Sequence, residues 1–120
     1  MAQEMPGFSY TGIADVDLTG KAGYGVVITA TNTIALAGAS AVIDGVLRYE
    51  GKAGESVTVV KTGAMGLVLG GPVTAGDQLA TAAGGTFIKA IATKQIVAVS
   101  RENGLANEIH QGLLGYKGLA

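Results

Sequence analysis

From Tyr24 onward the apolar residues fall into short runs, broken every few positions by glycine, asparagine, aspartate or lysine. Within the runs the period is two rather than three or four: in ESVTVVK, Val57 and Val59 share one face with polar or small neighbours between them. That spacing is the signature of strands. It predicts strands at Tyr24–Ala30, Thr33–Ala37, Val42–Arg48, Glu55–Lys61, Met65–Leu69, Gln78–Thr81, Thr86–Ile91, Gln95–Arg101 and Glu108–Leu114. Many short strands with frequent turn signals read as an all-β fold, a small β-barrel or sandwich of short antiparallel strands. Only LAGASAV, Leu36–Val42, also suits a single helical turn.

Two of these runs are apolar on both faces. In Gln95–Arg101, Val97 and Val99 oppose Ile96 and Ala98; in Thr86–Ile91, Phe87 and Ile91 oppose Ile88 and Ala90. A free-standing antiparallel sheet keeps one wet face, so such strands are expected to be covered on both sides, within the fold or by another subunit. Between strands, Gly76 and Asp77 in VTAGDQ suit a tight turn, glycine for positive φ and aspartate for a side-chain bond back to the main chain. Gly84-Gly85 marks a hairpin.

The first nineteen residues, MAQEMPGFSYTGIADVDLT, show no sustained periodicity, yet they hold Phe8, Tyr10 and Ile13. A frayed terminus has no need of such side chains. The expected organisation is an extended N-terminal arm over residues 1–19 and one β-rich domain over residues 20–120, with Phe8, Tyr10 and Ile13 as the candidate contact residues of the arm.

Composition sharpens this picture. Charged residues make up 14% of the chain and 20 of its 120 residues are glycine, against roughly 25% and about 7% in ordinary domains. So little charge leaves a surface that is small, neutral or apolar, as expected where partners cover it. A net charge of −1 with scattered Lys and Arg does not suit a nucleic-acid partner, since a phosphate backbone needs several cations on one face. The uncharged stretch Ala22–Ile43 is long enough for a bilayer, but Thr29, Thr31, Asn32, Thr33 and Ser40 interrupt it, so no membrane span is expected. MAQEMPGF lacks the basic and apolar regions of a secretory leader.

Candidate chemistry is sparse. There is no cysteine and His110 is the one histidine, too few ligands for a usual zinc site. Ser9, Ser40, Ser56 and Ser100 lie in no nucleophile-elbow motif. Asp15 with Asp17, and Asp44 with Glu50, are carboxylates close in sequence without the spacing of a calcium loop. GKAGYG lacks the Gly-Lys-Ser/Thr ending of a phosphate loop. KTGAMG, Lys61–Gly66, resembles the attachment hairpin of biotinyl or lipoyl carrier domains, but Gly66 stands where the modified lysine belongs. No catalytic residue and no cofactor are expected.

The segment Ile43–Ala90 carries a resemblance. Its Gly45-Val46 strand, its Ala53-Gly54-Glu55 followed by Val57 and Val59, its Gly70 to Asp77 run GGPVTAGD and its Gly84-Gly85 hairpin resemble the small head-decoration, or capsid cement, proteins of tailed bacteriophages. The resemblance implies a non-enzymatic β-domain on the outer surface of the virion capsid, often a homotrimer, bracing the major capsid protein. Another phage structural or assembly module, such as a tail or fibre part, is the second reading; a carrier or enzyme is the third.

Overall fold

The computed structural model describes residues 5–6, 9–30, 32–91 and 94–119. Among them are eleven strands and no helix: β1 (Met5–Pro6), β2 (Ser9–Ala14), β3 (Gly25–Ala30), β4 (Thr33–Leu36), β5 (Gly45–Tyr49), β6 (Ser56–Val60), β7 (Gly63–Val68), β8 (Gln78–Thr81), β9 (Phe87–Lys89), β10 (Gln95–Ser100) and β11 (Ile109–Leu119). The all-β class is as the alternation predicts. All nine expected strands form, and LAGASAV forms no helix: Ser40 takes a positive φ of 52° and its N–H donates to the Thr81 carbonyl.

Five strands close a barrel in the order β2-β4-β3-β5-β6, and the others make a sheet in the order β1-β7-β11-β10-β8-β9. A parallel bridge between Leu69 and Phe87 brings the end of β7 back to β9, so this sheet also curls into a ring. With β1 set aside, the two rings have one connectivity. In each, the first strand pairs with the third in parallel and with the fifth antiparallel, while the second pairs antiparallel with the third and fourth.

The correspondence extends to single residues. Gly25 opposite Val46 matches Gln78 opposite Val99, and Val46 opposite Val60 matches Val99 opposite Leu113. The bond from Gly23 N–H to the Leu47 carbonyl (2.8 Å) recurs as Gly76 to Ser100 (2.7 Å), and that from Asp15 to Ile34 (2.8 Å) recurs as Gly70 to Phe87 (2.7 Å). From the second strand onward, matching positions are separated by a constant 53 residues, as in Lys21–Tyr24 with Thr74–Asp77 and Lys52–Glu55 with Leu105–Glu108. The chain is a tandem pair of one five-stranded unit, residues 9–60 and 64–113.

These four turns show how the sequence sets the repeat. Each closes with a bond of 2.9 to 3.2 Å from the fourth N–H to the first carbonyl, and its third residue, Gly23, Gly54, Gly76 or Asn107, has φ between 69° and 92°. That is the type II turn, whose third position favours glycine or asparagine. In three of them the fourth side chain is a carboxylate that accepts the N–H of the first residue: Glu55 from Lys52 (2.7 Å), Asp77 from Thr74 (2.9 Å) and Glu108 from Leu105 (2.9 Å). The roles expected for Gly76 and Asp77 are the ones observed.

The interior divides unequally. Ala14, Leu18, Val26, Ile34, Leu47, Val57 and Val59 fill the first barrel. The second cluster contains Met65, Leu67, Leu69, Val73, Leu79, Phe87, Val97 and Ala98, together with Val46 and Val60 from the outside of the first unit. The outer row of unit one is therefore buried against unit two. Gly25 lies in that row: its N–H donates to the Gly85 carbonyl (2.8 Å), and a Cβ on it would meet Thr81 Cγ2 at 3.0 Å and Phe87 Cζ at 3.4 Å.

The division at residue 19 is corrected by this architecture. Ser9–Ala14 is a barrel strand paired with β6 along five residues, and Ala14 and Leu18 are core residues. Gly12 lets β2 lie close to Ile34, whose Cγ1 would be 2.6 Å from a Cβ at that position. Met5 and Pro6 pair instead with Ala64 and Gly63 on β7, so β1 and β2 lie on different rings.

Two outcomes follow for stability. Deleting residues 1–17 removes β2 and opens the barrel; circular dichroism is expected to show loss of cooperative unfolding. Gly45→Ala places a Cβ 2.5 Å from Val59 Cγ1 and 2.6 Å from the Val60 carbonyl oxygen, and urea titration is expected to show a loss of about 1–3 kcal/mol, typical of overpacking.

Candidate functional site

The three expected contact residues separate. Phe8 lies outside the described residues. Tyr10 sits opposite Val59 on β2 and packs against the core of unit one; burial, and then the Asp44 carboxylate, push its hydroxyl above the usual tyrosine range. Ile13, on the same strand but the other face, remains exposed. The structure thus keeps one of the three as surface and uses Tyr10 for packing.

The residues screened for chemistry have structural partners. Ser40 Oγ accepts the Gln95 N–H (3.0 Å), and Ser100 Oγ donates to the Glu102 carbonyl (2.7 Å). Asp15 accepts from Thr29 (3.1 Å), Asp44 from the Ile28 N–H (2.7 Å) and Glu50 from the Gly20 N–H (2.8 Å). Among the described residues no three His, Cys, Asp or Glu side chains gather where they could hold a metal ion.

His110 is the centre of a clamp. Its Nε2 lies 3.0 Å from Glu108 Oε1 and its Nδ1 3.4 Å from Glu102 Oε1. The ring covers Gly104, where any Cβ would collide with it. Both carboxyls are anchored to the main chain as well. Glu102 is held below the usual carboxylate range chiefly by the Gln111 N–H, and Glu108 chiefly by the Leu105 N–H. The clamp fixes residues 101–108 on β11. Beside it, the turns at Thr74–Asp77 and Leu105–Glu108 face each other across an open cleft of about 540 Å³ that also includes Pro72 and Lys89, with Lys89 Nζ 3.9 Å from Asp77 Oδ1.

What the molecule offers is apolar surface. Ile13, Ile28, Val42, Ile91 and Leu113 are all exposed. Of these, the sequence pattern singles out Ile13 as a contact residue and places Ile91 in a run apolar on both faces; Ile28, Val42 and Leu113 carry no such signal, because period-two alternation does not say which face stays uncovered.

The fold is shared with a known structure. The chain is similar to the N base of the head fiber gp8.5 of bacteriophage phi29, with a TM-score of 0.77 and 17% sequence identity over 94% of this chain and 98% of that one. No protein-family profile matches the sequence, and no curated protein matches it.

The clamp makes the 101–108 segment acid-sensitive. Glu102 and Glu108 titrate below their ordinary value of 4.5 in the folded chain, so their contribution is present above that value and is lost as pH falls through the lowered ones. Hydrogen exchange of residues 101–108 is expected to accelerate more than that of β3–β6 as the pH is taken below the ordinary value of 4.5, with the difference reduced in E102Q/E108Q.

Proposed function

We propose that this chain is a structural protein of a tailed-phage particle, bound to the outer surface of the head through the major capsid protein and acting as a homotrimer or another closed ring. The fold likeness to a head-fiber base, spanning nearly the whole of both chains, carries the reading. The resemblance of Ile43–Ala90 to head-decoration proteins supports it from other residues, and that stretch runs across the junction of the two units, from β5 to β9.

The physics suits the role. A bracing protein has to resist deformation, and here main-chain bonds close each turn while carboxylates cap three of them. Its strength on the head comes from summed contacts, because each docked subunit raises the effective concentration of its linked neighbours. A second form of the reading, a platform that holds a fibre, is favoured by one observation: the similar structure is itself described as a base.

Purified heads lacking the protein, mixed with the intact chain and sedimented, test the proposal. The chain is expected to pellet with heads to a saturating stoichiometry and to add density on their outer surface in electron micrographs. A chain that stays in the supernatant, or that decorates tails in place of heads, overturns it.

A further inference from the structure

The contact between the two units inside the chain has an unused copy of each of its sides. Unit one presents Gly25, Val46 and Val60, with the loop at Gly38, to the second unit. The matching positions on unit two are Gln78, Val99, Leu113 and Ile91, and they face outward. Unit two meets this side of unit one with Val68 beside Gly23, Thr81 and Phe87 beside Gly25, and Gln95 bonded to Ser40. The matching positions on unit one are Ile13 and Ile28, which are exposed, Val42, which is exposed and also borders a cleft with Val97 and Leu114 of the second ring, and Ile34, which lies inside the first barrel.

Exposure shows these copies are incomplete surfaces. Leu113 is 41% and Ile91 62% exposed on one, and Ile13 38%, Ile28 47% and Val42 53% on the other. Together they are five of the nine large apolar side chains left exposed among the described residues. Their counterparts Val60 and Thr81 are fully buried.

We propose that a second copy of this chain covers these patches, with the Val99–Leu113 face of unit two seated on the Ile13–Ile28–Val42 face of unit one of the next chain, extending the internal contact head to tail. The substitutions fit a wider version of it. Gln78 stands where Gly25 allows close approach, so two chains meet at greater spacing than two units do. Larger side chains occupy the gap: Leu113 for Val60, Ile91 for Gly38, Ile13 for Val68 and Ile28 for Thr81. A head-to-tail contact of this kind uses two different patches and closes into a ring when the rotation permits. The proposal specifies the closed oligomer suggested above and is independent of head attachment.

Light scattering on the intact chain and two variants tests it. The wild type is expected to form a closed assembly of fixed size, and Leu113→Asp and Ile28→Asp, each spoiling one patch, are each expected to run as monomers with unchanged circular dichroism. Mixed in equal amounts they retain one good pair of patches, so the mixture is expected to form a dimer of one chain of each kind and to stop there. A wild type monomeric at the highest concentration reached, a variant that keeps the wild-type mass, or a mixture that stays monomeric overturns the proposal. Heads are not needed for any of these measurements, so failure to bind heads and failure to assemble are separate results.

Discussion

Burial of Val46, Val60 and Gly25 against the second unit is the contact on which the rest of the molecule depends. A unit of roughly fifty residues buries too small a share of its surface to be secure alone. Joined, the two share one continuous cluster that runs from the outside of the first barrel to the inside of the second. The pairing of β1 with β7 and of β2 with β6 reinforces the join with main-chain bonds on both rings. Rigidity, the capped turns and the asymmetric surface all presuppose that the units do not come apart.

Most strands were legible because they place apolar residues at every second position over a buried face, and Val57 with Val59 shows the pattern plainly. β2 was not. In SYTGIA the inward positions are Tyr10, Gly12 and Ala14, and glycine and alanine fill the barrel because Ile34 occupies the space in front of them. No hydrophobicity pattern reports a position made small by its neighbour.

The repeat was hidden for a related reason. The turns keep their residues, Ala-Gly or Ala-Asn at the same spacing, because backbone φ demands it. The cores trade volume between strands. Gly12 faces Ile34 in unit one; the matching Leu67 of unit two fills the space left by Gly112, where a Cβ would strike its Cδ1. Val57 corresponds to His110 and Leu47 to Ser100, so two apolar positions of unit one are polar in unit two. The candidate surface was legible only in outline: apolar strand faces announced cover, but Tyr10 and Ile13, three residues apart on one strand, went to opposite sides of the barrel wall.

The pairing of first strand with last sets the order in which the chain assembles itself. Ser9 meets Val60 and Ala64 meets Leu113, so each ring closes only when its final strand has emerged, and such non-local pairing is slow to form. As the ribosome releases the chain, all the strands of the first barrel emerge before those of the second. Its outer row of valines then waits, wet, for the second unit to cover it. The sparing use of charge elsewhere on the surface makes that interval the time when the nascent protein is most exposed to wrong partners.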